Sequence, residues 1–146
     1  MKIVDATLED RLDFILLAKA FIKESKYPFS LDKDMLYNNY ELALQNEGFK
    51  LILAKDEDEA VGMLVGAVNS TLFSSDSIAV ELAWFLYKDY RGGPTALKML
   101  KMYEDWARGM GCKFATMVDI HQLENLGPLY ERKGYTLTEK TYVKEL

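Results

Sequence analysis

The sequence predicts a single α/β domain with a central mixed sheet and helices on both faces, in the order β-α-α-β-β-β-α-β-α-β. Apolar residues recur with helical spacing in four segments, and the segments between them alternate or run continuously as strands do. Residues 78–118 are predicted as strand, helix and strand, a crossover that joins parallel strands inside a sheet. The chain has 146 residues, of which 49% are hydrophobic, enough to bury one core.

The N-terminal segment predicts a strand followed by a helix. Lys2 to Ala6 is a short strand, and Thr7 and Asp10 then form a Thr-x-x-Asp helix start signal. The helix is predicted to end near Glu24, because Pro28 disfavours helix at the residue before it. Its inward stripe is predicted to consist of six apolar residues: Leu8, Leu12, Ile15, Leu16, Phe21 and Ile22.

A second amphipathic helix and three strands are predicted for the middle of the chain. The helix covers residues 32–46 and ends before Gly48. Phe49 to Ala54 and Ala60 to Val68 are predicted to form a hairpin, and Ile78 to Tyr87 is apolar enough to be a central strand. The inward residues of the helix are predicted to be Met35, Leu36, Tyr40, Ala43 and Leu44.

The C-terminal part predicts two further helices and two strands. A helix that begins at the Gly-Gly-Pro sequence is predicted to end near Met110. It is followed by a strand over Lys113 to Val118, a short helix over Leu123 to Lys133 and a last strand over Tyr135 to Lys144.

Composition argues against several classes of protein. The net charge of −5 disfavours broad nucleic-acid binding, which needs clustered cations, and is compatible with a cationic substrate. No apolar run is long enough to cross a bilayer, and the first ten residues lack the apolar core of a signal peptide. Cys112 is the single cysteine, which excludes an internal disulfide. We therefore expect a cytoplasmic protein that binds neither nucleic acid nor membrane.

The stretch DYRGGPTALKML, residues 89–100, places a bare backbone in front of a helix. Gly92 and Gly93 have no side chains to keep a ligand from the main chain, and Pro94 suits the first helical position. Outward-facing amides at the positive end of the helix dipole are expected at Gly93, Thr95 and Ala96. Nearby positive charge comes from Lys88, Arg91 and Lys98. The pattern predicts a diphosphate site, although Gly-Gly-Pro is also ordinary turn chemistry.

The strand VELAWFLY, the loop KDYRGGPTA and the helix after them resemble the acetyl-CoA-binding core of the GNAT superfamily of N-acetyltransferases. That family carries Arg/Gln-x-x-Gly-x-Gly/Ala around the CoA pyrophosphate. Residues 91–96 match this motif except that Pro94 replaces the usual glycine. The resemblance implies that acetyl-CoA is the co-substrate and that CoA is bound by Arg91, Gly92, Gly93, Thr95 and Ala96.

A second block, NLGPLYERKGY, resembles the family's Asn-rich helix and its Leu-Tyr-Glu-x-x-Gly-Phe/Tyr motif. The matching residues are Leu129, Tyr130, Glu131, Gly134 and Tyr135. Asn125 is the candidate asparagine contact to CoA, although Leu123 occupies the family's usual asparagine position. The predicted order of elements also matches the superfamily over essentially the whole chain.

Moving an acetyl group from a thioester to an amine needs a base, an acid and an oxyanion donor. Glu81 is the expected base, because a carboxylate in an apolar central strand is costly to bury unless it is used or paired. Several family members also have a glutamate at this point of the strand. The alternative is a Glu81 that pairs with a cation or faces solvent, and Asp119 is the second choice of base.

The expected acid is Tyr130, whose family counterpart places its hydroxyl near the thioester sulfur. The alternative is a core tyrosine with a satisfied hydroxyl. The oxyanion donor is expected among the main-chain N–H groups of Phe85, Leu86 and Tyr87. The same segment is expected to pair with the pantetheine arm of CoA as an added strand would.

Three other features are weaker candidates. His121, the only histidine, follows a strand end but such a residue is usually structural or solvated. Cys112 is expected to be a small buried residue, and no metal is expected because no Cys/His cluster has ligand spacing. The aromatic residues around the first helix break either line an acceptor pocket or simply pack: Tyr27, Phe29 and Tyr37.

The sequence thus predicts an N-acetyltransferase that uses direct attack of a primary amine on acetyl-CoA in a ternary complex. The acceptor is not identified; residues 25–36 and 69–77 are expected to select it, and a homodimer is compatible with the family. Two alternatives stay open. One is a GNAT-fold binding or regulatory protein without catalysis, and the other is a nucleotide-binding α/β domain that uses the same helix end.

Overall fold

Five strands form one sheet whose spatial order follows the chain. In the computed structural model, which describes residues 1–146, the strands are β1 (Lys2–Asp5), β2 (Phe49–Asp56), β3 (Glu59–Ser70), β4 (Ser77–Leu86) and β5 (Phe114–Thr116). The pairs β1–β2, β2–β3 and β3–β4 are antiparallel, and β4–β5 is parallel. The parallel pair confirms the crossover predicted for residues 78–118.

Four helices cover the two faces of this sheet, which confirms the predicted α/β class. They are α1 (Arg11–Ser25), α2 (Lys33–Leu44), α3 (Pro94–Gly109) and α4 (Gly127–Arg132). One core cluster lies under α1 and α2 and includes Phe21, Tyr40 and Phe85. The other lies under α3 and α4 and includes Tyr103 and Tyr130. No helix has the length and apolar character needed to cross a membrane.

The first helical segment starts after Thr7 as predicted, with a 3-10 turn over Leu8–Asp10 that leads into α1, but it buries a largely different face. The Thr7 amide and hydroxyl both donate to the Asp10 carboxylate, at 2.9 and 3.1 Å, so the start signal is confirmed. The buried apolar side chains are Phe14, Leu17, Ala18 and Phe21. Three residues predicted to be inward are 57% to 68% exposed: Leu8, Leu12 and Leu16. The prediction is wrong here because the helix carries two apolar stripes and the sheet packs against the one with aromatic rings.

Helix α2 and the hairpin follow the prediction with small shifts. The Asp32 carboxylate caps α2 by accepting the Met35 amide at 3.0 Å. Tyr40 is buried as expected, but the Met35 side chain is exposed rather than inward. The hairpin turns at Glu57, whose φ of 55° lies in the left-handed region.

Strand β4 contains a bulge that controls which side chains share a face. Glu81 pairs with Gly66 and Ala83 pairs with Val65, so Leu82 is an extra residue on β4. Beyond the bulge, Ala83 and Phe85 point toward the α1 side, and Trp84 points toward the α3 side. Glu81, before the bulge, therefore shares the α3 side with Trp84, three positions further along the strand.

The C-terminal segment differs most from the prediction. Helix α4 begins at Gly127 rather than Leu123, because Pro128 occupies its first turn. The predicted last strand over Tyr135 to Lys144 is not formed, and no strand pairs with this segment. A strand-forming sequence becomes a strand only when a neighbouring strand accepts its hydrogen bonds.

Candidate active site

A cleft opens where β4 and β5 separate. The two strands pair at three positions, of which the last joins Val80 to Thr116. Beyond this point a cavity of about 300 Å³ lies between the end of β4 and the chain after β5. Its wall includes six residues from these two segments: Glu81, Trp84, Phe85, Leu86, Val118 and Ile120. An extended ligand can therefore lie between two strands that no longer bond to each other.

Glu81 lies at the closed end of this cleft. The residue is only 6% exposed, and its Oε2 atom accepts the Val118 N–H at 3.0 Å. Burial raises the pKa of the Glu81 carboxyl to about 7, although the Val118 hydrogen bond opposes the change. No lysine or arginine forms an ion pair with it. The ion-pair alternative therefore does not hold, and a carboxyl group that titrates near neutral pH faces the cavity.

Asp119, the second choice of base, has a different position. Its Oδ1 atom accepts the Leu126 N–H at 3.0 Å and so fixes the loop before α4. The side chain is exposed and is not part of the cavity wall. The geometry therefore favours Glu81 over Asp119 as a base.

Tyr130 and Glu81 form hydrogen bonds to the same residue, Val118. The Tyr130 hydroxyl donates to the Val118 carbonyl at 2.8 Å, and Val118 is the residue whose amide binds Glu81. Burial and the nearby Glu81 charge both raise the pKa of the Tyr130 hydroxyl above its ordinary value. The hydroxyl therefore keeps its proton at neutral pH. Tyr130 is buried and does not itself line the cavity. Its hydrogen bond to Val118 holds the chain after β5 in place, and its role as an acid is a proposal.

Of the three main-chain N–H groups among which the oxyanion donor is expected, only one faces the cleft. The Tyr87 N–H donates to the Val61 carbonyl at 2.9 Å, across to β3. Because main-chain groups alternate along a strand, the Phe85 amide also faces β3 and the Leu86 amide faces the cleft. The Leu86 carbonyl accepts the Arg91 Nε at 2.7 Å, which agrees with this orientation. The sheet already uses the Phe85 and Tyr87 amides, so Leu86 is the candidate donor that remains in this segment.

The N-terminus of α3 is open toward the same cavity. Gly93 is the N-cap, Pro94 is the first helical residue, and no side chain caps the helix. Gly92 has a φ of 79°, a conformation that favours glycine. A Cβ atom on either glycine would meet nothing within 4 Å, and both glycines line the cavity together with Ala96. The arrangement suits an anion at the helix end, while Thr95 lies outside the wall.

The Arg91 guanidinium already has partners within the protein. Its Nη2 atom lies 2.7 Å from the Glu24 carboxylate and its Nη1 atom lies 3.7 Å from the Glu124 carboxylate. The guanidinium also lies 5.2 Å from the centre of the Phe85 ring. Arg91 thus ties the end of α1 and the loop after β5 to the end of β4.

Arg132 is a wall residue that sequence reasoning missed. It forms no ion pair, and it lines the cavity from the last turn of α4. A signal was present in the sequence, because Arg132 lies three residues after Leu129 and so shares its face of the helix. Leu129 also lines the cavity.

The remaining candidates lie outside the cavity wall. The Asn125 Oδ1 atom accepts the Gly127 N–H at 3.2 Å, so this side chain supports the start of α4. His121 is exposed, and burial raises the pKa of the Cys112 thiol, which disfavours the reactive thiolate. No three or more His, Cys, Asp and Glu side chains are grouped so as to hold a metal ion.

The aromatic residues after α1 approach the site from the other face. The rings of Tyr27 and Phe29 stack with centres 5.3 Å apart, and Tyr27 also contacts Phe21 at 6.0 Å. Burial and then the Glu81 charge raise the pKa of Tyr27. The loop that was expected to help select the acceptor therefore lies within electrostatic reach of Glu81.

Comparisons with known proteins identify the family of this chain. The sequence matches the acetyltransferase (GNAT) family over residues 16–135, and the chain belongs to this family. It is accordingly an acetyl-CoA-dependent acetyltransferase, with acetyl-CoA as its co-substrate. The resemblance drawn from the glycine loop and the tyrosine block is confirmed. A search of curated proteins gives no match to the sequence.

Solved structures show the same fold at low sequence identity. The apo aminoglycoside 6′-N-acetyltransferase of Acinetobacter haemolyticus is 18% identical, with a TM-score of 0.76 over 100% of this chain and 99% of that one. A protein of Clostridium acetobutylicum, described as a predicted acetyltransferase and solved with acetyl-CoA, is 15% identical, with a TM-score of 0.82 over 99% and 95%. Glucosamine-6-phosphate N-acetyltransferase of Arabidopsis thaliana is 13% identical, with a TM-score of 0.79 over 99% and 97%. These likenesses establish the fold and not the acceptor.

Proposed function

We propose that this acetyltransferase transfers the acetyl group of acetyl-CoA to a primary amine by direct attack in a ternary complex. The amine belongs to a small molecule or to a protein lysine or N-terminus. Glu81 carries this proposal, as a buried carboxyl group with a pKa of about 7, without an ion pair, in the wall of the cleft. An amine of pKa about 10 arrives mostly as ammonium and has to lose a proton before it can attack. A carboxylate that is half ionised near pH 7 is suited to accept that proton.

The other steps are assigned to groups around the same cleft. The amine nitrogen bonds to the thioester carbonyl carbon, and the Leu86 N–H, which faces the cleft, is the proposed donor to the oxygen that gains charge. When the carbon–sulfur bond breaks, the CoA sulfur takes up a proton, for which Tyr130 is the proposed source. Tyr130 keeps its proton at neutral pH, and its hydroxyl bonds to Val118, the same residue whose N–H binds Glu81. Glu81 thus removes one proton from the ammonium and releases it to solvent, and Tyr130 supplies one proton to the leaving sulfur. The second proton, which the nitrogen loses as it becomes an amide, restores Tyr130.

Acetyl-CoA fits the arrangement in two places. The open end of α3 at Gly92 and Gly93 offers amides to the phosphate groups, with Arg91 and Ala96 in the same cavity wall. The Thr95 amide is a further proposed donor, although its residue lies outside that wall. The main chain of β4 beyond Val80 has lost its strand neighbour β5, and its free cleft-facing groups suit the peptide-like pantetheine arm. The Leu86 carbonyl is not among them, because it accepts the Arg91 Nε. Asn125 is retained only as a support for α4.

Direct transfer is favoured over a covalent enzyme intermediate. Cys112 is the one cysteine, lies outside the cavity wall and has a pKa raised by burial. Such a thiol is poorly suited to attack a thioester at neutral pH. We place the protein in the cytoplasm, as a monomer or homodimer without nucleic-acid or membrane partners, on the grounds of its acidic charge and its sequence.

A titration and an acceptor screen test this proposal. Calorimetry with acetyl-CoA is expected to give saturable binding, and a panel of polyamines, aminoglycosides and lysine peptides is scored by release of free CoA thiol. Binding together with amine-dependent thiol release supports the proposal. Binding without thiol release on any amine indicates the binding-protein alternative, and ATP that displaces no CoA argues against a nucleotide site. Absence of binding at millimolar acetyl-CoA would overturn the proposal.

A further inference from the structure

We infer that Arg132 is the side-chain cation that binds a phosphate group of CoA in this protein, and that Arg91 is a positioning residue. This inference rests on the proposed use of the cleft for CoA, and it reassigns the role that the sequence motif gives to Arg91. It names α4, which the glycine motif does not include, as part of the phosphate site.

The first argument is the local charge around Arg91. One guanidinium faces two carboxylates, those of Glu24 and Glu124, so the group of three carries a net charge of −1. The Nε atom is also used, because it donates to the Leu86 carbonyl at 2.7 Å. An anion that approached Arg91 would have to displace a carboxylate, and the remaining carboxylate would repel it. Arg91 is thus built to join three segments rather than to receive a phosphate.

The second argument is the position of Arg132. The charged residues of the cavity wall are Glu81, Arg91, Glu124 and Arg132. Arg132 alone among them is a cation without an ion pair. It lines the same cavity as Gly92 and Gly93, where the α3 amides are open. An unpaired guanidinium and a set of free amides around one cavity form a site for phosphate oxygens.

The third argument is that α3 alone is a weaker anion site than usual. Pro94 removes one of the N–H groups that the end of a helix offers. Helix ends attract anions with a partial charge of about +0.5. CoA carries a diphosphate and a ribose 3′-phosphate, so a full positive charge is needed nearby. Arg132 supplies it from the neighbouring helix.

The test compares Arg132→Met with Lys133→Met in the full-length protein. Lys133 has the same charge, is the next residue, forms no ion pair and does not line the cavity. Arg132→Met is expected to raise the Kd for CoA by roughly 10-fold or more, because a hydrogen-bonded charge is lost. Lys133→Met is expected to change it less than about 2-fold. Thermal unfolding of both variants checks that they fold.

Three ligands and a salt series separate a phosphate contact from a structural effect. Pantetheine, which lacks phosphates, is expected to bind wild type and Arg132→Met equally. The Kd for CoA is expected to depend less on salt in Arg132→Met, since one screened charge pair is gone. If the Arg132 effect disappears with 3′-dephospho-CoA, the contact is the 3′-phosphate; if it persists, the contact is the diphosphate.

Arg91→Met provides the contrasting outcome. This variant is expected to have a lower unfolding temperature and to bind pantetheine and CoA more weakly by the same factor. Its Kd for CoA is expected to depend on salt as that of wild type does. If wild type binds CoA and Arg132→Met binds it with an unchanged Kd, the inference is overturned and the proposed function is not. A wild-type protein that does not bind CoA would instead overturn the proposed function on which it rests.

Discussion

Glu81 and Tyr130 bind the two main-chain groups of the same residue, Val118. The Val118 amide donates to Glu81 Oε2 at 3.0 Å, and the Val118 carbonyl accepts the Tyr130 hydroxyl at 2.8 Å. Val118 lies two residues after Thr116, the last paired residue of β5, so these two bonds replace the ladder that ends at Val80 and Thr116. The side chains proposed as base and acid therefore also fix the width of the cleft. A substitution at either position has to be judged on both activity and stability.

Replacing the base should abolish the pH dependence of transfer. Glu81→Gln keeps an oxygen that can accept the Val118 amide but cannot take a proton from the amine. We expect kcat/KM of wild type to rise with pH through about 7, the pKa of Glu81, and then to level off. Glu81→Gln is expected to be ~10²–10⁴-fold slower and to lose this rise. A variant that retains the wild-type pH profile would show that another group is the base.

The same substitution should change how stability depends on pH. The folded-state pKa of Glu81 is raised from 4.5 to about 7, so the unfolded chain loses this proton first. The free energy of unfolding should therefore fall as pH rises from 4.5 to 7, by on the order of 3 kcal/mol. Urea unfolding at pH 5 and pH 8 is expected to show this fall in wild type. In Glu81→Gln the free energy of unfolding is expected to be the same at the two pH values. Glu131→Gln, at an exposed carboxylate without an ion pair, serves as the control and should behave as wild type does.

Tyr130→Phe should slow acetyl transfer without weakening the binding of CoA. The variant loses the proposed proton donor, and we expect kcat to fall by ~10²-fold or more while the Kd for CoA changes little. It also leaves the Val118 carbonyl without its partner, which should cost about 1–3 kcal/mol of stability. Tyr103→Phe is the matched control, because the buried Tyr103 hydroxyl donates to Thr116 O at 3.0 Å and lies outside the cavity wall. Equal losses of kcat in the two variants would assign Tyr130 a structural role only.

Much of the fold and part of the site were predictable because their signals are local. The apolar run around Glu81 and the Gly92–Gly93–Pro94 sequence each specify a conformation within a few residues. The inward face of α1 was not predictable, because Leu12 and Phe14 both belong to stripes with helical spacing. Only packing against the sheet distinguishes the two.

The charge state of the site could not be read from sequence for a related reason. Arg91 finds its partner Glu24 at a separation of 67 residues, and nothing in the motif around Arg91 indicates that pairing. The direction of the β4 amides likewise depends on the register with β3, which the Leu82 bulge shifts. Long-range pairing therefore decides which of the predicted groups are free to act.

Removing the single thiol should leave transfer intact. Cys112 is half-buried beside the second core cluster and is not in the cavity wall. If the amine attacks acetyl-CoA directly, Cys112→Ala is expected to keep kcat within about 2-fold of wild type, with at most a small loss of stability. Initial rates measured against both substrates should give intersecting rather than parallel double-reciprocal lines. Parallel lines, or loss of activity in a folded Cys112→Ala, would indicate a covalent acetyl intermediate.

Gly66 should tolerate no side chain, because Tyr103 and Trp106 of α3 pack directly against it. A Cβ atom there would lie 2.7 Å from Tyr103 Cε2 and 3.1 Å from Trp106 Cζ3. The Tyr103 ring cannot easily withdraw, since its hydroxyl is bonded to the Thr116 carbonyl and the residue is fully buried. Gly66→Ala is therefore expected to lower the free energy of unfolding by about 1–3 kcal/mol, measured by urea denaturation. Gly109→Ala is the control: its Cβ would meet nothing within 4 Å at the end of α3, so that variant should be unchanged or more stable by up to about 1 kcal/mol. A Gly66→Ala protein as stable as wild type would mean that the α3 helix can move away from β3 at no measurable cost.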